Sequence, residues 1–234
     1  MEFSSPIERA EDGLFLSENP TPFERLKVGV RALRILDKAP DDPVAQPLFN
    51  AAIDGDTYGR LVEELRKTDE GRELLTERPT LERGDVDLRA LAALPEGTLG
   101  HAFARYFEDN RIQPFTSPYE VRNDTDYLVK RYRETHDLAH ILTGYGTDSL
   151  GEMEVQAFVI GNLGLRSGWL ILGFAAVLMP HGLPPIWKYS DRLRVAHRRG
   201  KQSKSILTLR YERFWESPVA DVQRQLGIPP LQRR

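Results

Sequence analysis

Four side chains of the kinds that bind metal ions lie close together in the sequence: His136, Asp137, His140 and Glu152. Histidines four residues apart share one face of a helix, with Cβ atoms about 6 Å apart, so both imidazoles can reach one ion. Asp137 can bind the same ion, or it can orient a histidine from outside the ligand set. Glu152 returns to the histidines if the chain folds back between two antiparallel helices. The segment therefore predicts a metal site.

The chemistry of this site depends on the ion and on how many of the side chains bind it. Two imidazoles and two carboxylates suit zinc, iron or manganese better than calcium, which prefers oxygen ligands alone. A tetrahedral ion with four protein ligands is closed and structural, whereas a six-coordinate ion keeps two positions open. A competing interpretation is a capping box formed by Ser149 and Glu152, in which the Glu152 carboxylate bonds backbone instead of metal.

The composition excludes several other kinds of function. The chain of 234 residues has no cysteine, which removes disulfides, thiolate zinc sites and cysteine nucleophiles. Its formal net charge of −3 provides no basic field, so no nucleic-acid partner is expected. The first residues lack a secretory or transit pattern. The apolar run from Trp169 to Pro180 is shorter than the roughly 20 residues that span a bilayer. We therefore expect a cytoplasmic protein.

The apolar periodicity predicts an all-α fold, a single-domain multi-helix bundle. Residues 1–20 are polar and interrupted by prolines, and we interpret them as a loose N-terminal arm. Residues 21–234 show helical spacing without a convincing strand alternation, which predicts one helical domain.

The helix that carries the histidines is expected to be capped by Asp124 and to end at Gly144. Leu128 and Tyr132 precede His136 and His140 at the same spacing of four residues. Side chains at this spacing form one stripe along a helix, and the apolar members of the stripe turn the histidines toward the interior.

These residues resemble the motif of a known family. His136-Asp137-x-x-His140, followed by eleven residues and Glu152, is similar to the signature of the Coq-four family, the fourth ubiquinone (coenzyme Q) biosynthesis protein. Further segments resemble family blocks in the same order, and the resemblance extends over roughly residues 21–228. These segments are Pro95–Gly100, Arg131–His140, Leu150–Glu152 and the tail around Trp215-Glu216 and Arg224–Ile228.

The resemblance implies a divalent metal, with zinc expected and iron or manganese as alternatives. It implies a lyase that removes the C1 carboxyl of a polyprenylated hydroxybenzoate precursor, with oxidation at that carbon, and it implies an organiser of the quinone-biosynthetic complex. The metal-binding and catalytic residues would be His136, Asp137, His140 and Glu152. The implied partners are a polyprenylated precursor or isoprenoid lipid, other quinone-biosynthesis proteins, the inner face of the membrane as a peripheral surface, and a second copy in a homodimer.

Four further residues are candidates for substrate binding: Arg131, Arg133, Tyr132 and Phe158. Arg131 or Arg133, about one turn before His136, can pair bidentately with a carboxylate, and a solvated surface charge is the competing interpretation. A polyprenyl tail needs an apolar groove, which we expect between residues 158–163 and 170–179, with ordinary core packing as the alternative. The basic run over residues 188–204 is expected to face anionic headgroups or solvent.

A second function class is a non-catalytic isoprenoid-binding scaffold whose metal is structural or absent. It predicts a closed site, or Glu152 in the capping position, and full function after a ligand is removed. A metal-dependent phosphohydrolase of the HD type is disfavoured, because the chain lacks further distant His and Asp positions in a clear context.

Overall fold

The computed structural model describes residues 8–9, 14–16, 20–39, 42, 44–117, 121, 123–178 and 186–231. Within them the fold is all-α and a single domain, as predicted. Two 3₁₀ turns, Ile186–Tyr189 and Tyr211–Arg213, accompany the helices. The helices are α1 (Pro22–Lys38), α2 (Ala45–Leu65), α3 (Asp69–Glu77), α4 (Leu88–Ala92), α5 (Leu99–Asn110), α6 (Asp124–Thr143), α7 (Ser149–Leu163), α8 (Ser167–Leu178), α9 (Ser190–Gln202) and α10 (Val219–Leu226).

The N-terminal segment contributes one very short antiparallel pair, β1 (Glu8–Arg9) and β2 (Leu14–Phe15). Leu16 follows β2 and is buried with apolar side chains of α1 and α2. Most of the predicted arm over residues 1–20 lies outside the described residues, so a loose arm stays a prediction.

Helix α6 is the central element, and most of its side chains are buried. Its N-cap is Asn123, whose side chain accepts from the backbone N–H of Asp126 at 2.9 Å. The expected cap Asp124 is instead the first helical residue, and its carboxylate binds Arg66 at 2.7 Å and Arg78 at 3.0 Å. The helix ends at Gly144 as predicted, because this residue adopts φ 74°, a left-handed conformation that suits glycine.

Helices α7 and α9 pack so closely that only glycine fits at two contact positions. A Cβ on Gly161 would lie 2.1 Å from the backbone oxygen of His197, and one on Gly200 would lie 2.0 Å from the backbone oxygen of Phe158. Gly161 and Gly200 thus allow the backbones of the two helices to approach each other closely. Phe158 is fully buried in the main core. The described residues do not show the predicted apolar groove, and because residues 179–185 lie outside them, the groove stays a prediction.

Candidate metal centre

The end of α6 and the beginning of α7 bring three predicted ligands together. One ligand atom from each of His136, His140 and Glu152 lies within 4.8 Å of the other two. Nε2 of His140 is 3.2 Å from Oε1 of Glu152, and Nε2 of His136 is 3.8 Å from Oε2. Metal–ligand bonds of about 2.0–2.1 Å in a tetrahedral site separate neighbouring ligand atoms by about 3.3 Å. The spacing therefore suits one small divalent cation.

The hydrogen bonding of His140 leaves its Nε2 free to bind a cation. Nδ1 lies 3.0 Å from the backbone oxygen of Gly146 and 3.4 Å from that of Tyr145. A carbonyl only accepts, so Nδ1 carries the proton and Nε2 carries the lone pair, the arrangement typical of metal-bound histidines. Nε2 is buried and makes no hydrogen bond within the described part of the chain. Its 3.2 Å contact with Glu152 lacks hydrogen-bond geometry, and a cation between the two groups would satisfy both.

The loop between α6 and α7 holds the Gly146 carbonyl in place, and this requires glycine at position 151. A Cβ on Gly151 would lie only 2.0 Å from the backbone oxygen of Gly146. The N-cap of α7 is Asp148, which accepts from the backbone N–H of Gly151 at 2.7 Å. The capping-box alternative for Ser149 and Glu152 is therefore wrong: Asp148 occupies the cap, and Glu152 faces the histidines one residue beyond the capping-box position.

Asp137 lies beside the cluster but outside it. Its Oδ1 is 3.8 Å from Nδ1 of His136, on the opposite side of the imidazole from the Nε2 that faces Glu152. It is absent from the group of converging ligand atoms. Of the two roles considered for Asp137, the geometry favours orienting His136 over direct metal binding, because neighbouring helical residues point about 100° apart.

The cluster holds its carboxyl groups ionised. Burial alone would raise the pKa of Asp137, but His136 and Arg133 outweigh it and lower the pKa below the ordinary value. Burial likewise opposes ionisation of Glu152, and the two histidines nevertheless lower its pKa. Burial would lower the pKa of His140, but the carboxylates of Glu152 and Asp137 raise it. A cation bound here therefore competes with a proton on His140.

The site is open on one side. The side chains of His140 and His136 are only 2% and 11% exposed, whereas that of Glu152 is 43% exposed. Three protein ligands with one accessible side are typical of catalytic metal sites, while structural sites are closed by four. The described geometry thus resembles the catalytic arrangement.

The candidate substrate residues divide into two groups. Tyr132 and Arg133 lie at the cluster: the Tyr132 ring is 6.4 Å from the ring of His136, and the charge of Arg133 acts on Asp137. Arg131 points elsewhere. Its guanidinium is fully buried and donates to Glu212 at 2.6 Å and to the backbone oxygens of Pro79 and Leu209. The structure does not bring Arg131 or the core residue Phe158 to the metal ligands.

Tyr106 of α5 belongs to the site and was not predicted. Its ring centroid lies 5.8 Å from that of His140, with an angle of 31° between the planes. Burial and the neighbouring carboxylates of Asp137 and Glu152 raise the pKa of its hydroxyl. In the sequence it stands among Phe103 and Phe107 on an amphipathic helix, and no spacing relates it to the histidine motif.

Comparison with known proteins identifies the family of this chain. The family model for Coenzyme Q (ubiquinone) biosynthesis protein Coq4 matches residues 26–232. The Homo sapiens ubiquinone biosynthesis protein COQ4 homolog, mitochondrial, is 32% identical over 97% of this chain and 88% of that protein. The Xenopus laevis homolog is 34% identical over 77% of this chain and 66% of its own length.

The fold is also similar to the crystal structure of a Nostoc punctiforme protein assigned to ubiquinone biosynthesis. The TM-score is 0.70 at 26% sequence identity, over 87% of this chain and 96% of that one. The family model matches nearly the whole described helical region, and the predicted motif residues lie inside that match. This chain therefore belongs to the Coq4 family of coenzyme Q (ubiquinone) biosynthesis proteins.

Proposed function

We propose that this protein catalyses metal-dependent decarboxylation in ubiquinone synthesis, removing the C1 carboxyl of a polyprenylated hydroxybenzoate precursor. The observation that carries the proposal is the convergence of His136, His140 and Glu152 on one point that is open on the Glu152 side. Cleavage of the C1–carboxyl bond releases CO₂ and leaves the bonding electron pair on C1, where a proton takes the place of the carboxyl group or, with oxidation, a hydroxyl group whose oxygen comes from an external oxidant. The proposal includes zinc as the ion, with iron or manganese as alternatives.

The chain supplies the ligands and the surroundings of the reaction. His136, His140 and Glu152 would hold the ion, and Asp137 would orient His136 from behind. The bound ion supplies Lewis-acid polarisation of a phenol or carboxylate oxygen, while oxidation at the ring carbon draws on iron or on an external oxidant. The buried histidine side excludes water, and substrate would approach from the exposed side of Glu152.

Within this proposal, Arg133 binds the substrate carboxylate. Its guanidinium lies over the ring of Phe115, 5.4 Å from the centroid, and its charge acts on both Asp137 and Tyr106. Most other arginines near α6 are already paired, as Arg131 is with Glu212. A guanidinium binds a carboxylate through two parallel N–H donors, which orients the group as well as attracting it.

Replacing Arg133 with glutamine should therefore separate substrate binding from metal binding. We expect metal content to stay within about twofold of the wild-type value, because Arg133 is not a ligand. Decarboxylation should fall about 10- to 100-fold, the usual effect of losing a hydrogen bond to a charged group. The measurement is release of labelled CO₂ from a carboxyl-labelled precursor, together with quinone content in a deletion strain. Arg194→Gln, at an exposed pair with Asp191, is the control. If Arg133→Gln decarboxylates the precursor at the normal rate, Arg133 does not bind the substrate carboxylate.

The alternative is a non-catalytic isoprenoid-binding scaffold with a structural metal. Both the catalytic proposal and the scaffold alternative include organisation of the biosynthetic complex, contact with other quinone-biosynthesis proteins and a homodimer. The open side of the cluster favours catalysis, because a structural ion is normally enclosed by protein ligands.

The proposed location is the surface of a membrane. Among the described residues, none of the helices has the length and apolar character needed to cross a bilayer. The outward face of α1 suits peripheral binding: Phe23 is 77% exposed, Leu26 55% and Val30 40%. Basic residues lie beside them on the same exposed face, where they favour anionic lipids. These residues are Lys27, Arg34 and Lys38, with one exposed acid, Asp37, on the same side of the helix.

The basic helix α9, which the sequence offered for this role, is less suitable. Arg192 binds Glu154 at 2.7 Å, and Arg194 binds Asp191 at 2.8 Å. Arg199 is buried and donates to the backbone oxygens of Thr143 and Pro229. Internal bonds thus engage much of its charge.

Exchanging Phe23 and Leu26 together for serine should weaken membrane binding by about 100-fold or more, since each buried apolar side chain contributes about 1.5–3 kcal/mol. The measurement is co-sedimentation with phosphatidylcholine vesicles, with and without phosphatidylglycerol. The matched control is Ile112→Ser, a 40% exposed apolar residue outside α1. Equal binding of the double variant and the wild type would exclude α1 as the membrane face.

A further inference from the structure

Tyr106 contacts the surroundings of both histidine ligands from a helix that supplies no ligand itself. Its ring lies against the imidazole of His140, 5.8 Å between centroids. Burial and the carboxylate of Asp137, whose Oδ1 faces Nδ1 of His136, raise the pKa of the Tyr106 hydroxyl. One side chain therefore touches one histidine directly and reaches the other through the aspartate.

We propose that Tyr106 is a positioning residue that orients His136 and His140 together, so that both Nε2 atoms face the position of the ion. The inference rests on the metal centre of the proposed function, but not on the identity of the substrate or on the reaction. Outer groups that hold ligand side chains in place contribute to metal affinity, typically about 10- to 100-fold.

The two histidines differ in how they are otherwise held. The ring of His140 is fixed by its donation to the backbone oxygen of Gly146 at 3.0 Å. Among the described residues, the polar contact on Nδ1 of His136 is with Asp137, and at 3.8 Å it is longer than a hydrogen bond. A carboxylate that restrains a ligand must itself be restrained, and the Tyr106 hydroxyl, whose pKa this carboxylate raises, is the group assigned to that role.

Helix α5 is anchored to the C-terminal tail at its N-terminal end. The backbone N–H groups of Leu99 and Gly100 donate to the oxygens of Ser217 and Trp215 at 2.8 and 2.9 Å. Phe103, one turn before Tyr106, packs in the core against Trp215 at 5.2 Å. A positioning group needs such an anchored element, because small displacements of the support are transmitted to the ligands.

The last turn of α5 also supports the loop that holds His140. The Thr147 hydroxyl donates to Oδ1 of Asn110 at 2.9 Å, and Nδ2 of Asn110 donates to the backbone oxygen of Tyr106 at 2.8 Å. The same loop carries the Gly146 carbonyl that accepts from His140. Tyr106 and Asn110 thus connect one helix end to both the aspartate and the loop.

The test is metal affinity in Tyr106→Phe, which removes only the hydroxyl, and in Tyr106→Leu, which also removes the ring. Competition of Zn²⁺ between the purified protein and a chromogenic chelator measures the Kd. Absorption spectra of the Co²⁺-loaded protein report the ligand geometry. We expect the Kd to rise about 10- to 100-fold in Tyr106→Phe, further in Tyr106→Leu, with an altered cobalt spectrum.

Tyr127→Phe is the matched control. The Tyr127 hydroxyl is also buried and donates to the backbone oxygen of Pro79 at 3.0 Å, away from the ligands, so its loss should leave the Kd unchanged. Circular dichroism of the metal-free variants confirms folding, and Tyr106→Phe retains the packing volume if Tyr106→Leu does not fold. Wild-type affinity and spectrum in Tyr106→Phe would overturn the positioning role and leave the metal centre intact. A wild-type protein that binds neither ion would overturn both.

Discussion

Replacing His140 with alanine will leave the purified protein essentially without metal and will abolish quinone production in a deletion strain. The side chain of His140 is 2% exposed, and its Nε2 is the ligand atom nearest to Glu152. Without it, two converging ligands remain. We expect the affinity to fall by more than the roughly 100-fold that loss of an outer partner can cost. Mass spectrometry of the purified protein measures the metal content.

The control is His101→Ala, because this histidine lies on α5 and contacts the backbone oxygen of Ala92 at 3.2 Å, outside the cluster. It should retain both metal and quinone production. The outcomes for His140→Ala separate the two function classes. A variant that lacks metal yet restores quinone would reject the catalytic proposal in favour of a scaffold. A folded variant that keeps its metal would show that the ligand set is wrong.

Replacing Arg131 with alanine should lower the free energy of unfolding by about 3–5 kcal/mol, the usual effect of breaking a buried ion pair. The Arg131 side chain is 0% exposed, and its partner Glu212 is 22% exposed. The substitution leaves this carboxylate and the backbone oxygen of Leu209 without their Arg131 donors, and the backbone oxygen of Pro79 keeps only the Tyr127 hydroxyl. Because the free energy of unfolding of a domain is about 5–15 kcal/mol in total, the substitution removes a large part of it.

Urea denaturation followed by circular dichroism measures this loss. The control is Arg194→Ala, whose side chain is 65% exposed and whose pair with Asp191 lies on the surface, where ion pairs contribute little. If Arg131→Ala keeps its stability but loses decarboxylation, Arg131 binds substrate, as its position in the sequence indicates. Loss of stability with normal decarboxylation in the folded fraction is the expected result.

Local rules account for what could be predicted about α6. The spacing of four residues placed His136 and His140 on one face, and glycine at position 144 ended the helix. The N-cap of α6 was predicted at Asp124 but is Asn123. Both residue types are good caps, and the choice between them depends on distant arginines. Arg66 and Arg78 bind Asp124 from α2 and the end of α3.

The sequence by itself indicated the fold class, the family and the three side chains that converge, since helix periodicity and caps act over a few residues. Only the tertiary structure showed where Asp137, Arg131 and Tyr106 lie relative to these side chains. Arg131 resembled a substrate ligand until Glu212, 81 positions away, was seen to pair with it. Tyr106 reaches the site because α5 packs against α6. Such contacts depend on how helices pack, and packing between distant segments leaves no fixed spacing in the chain.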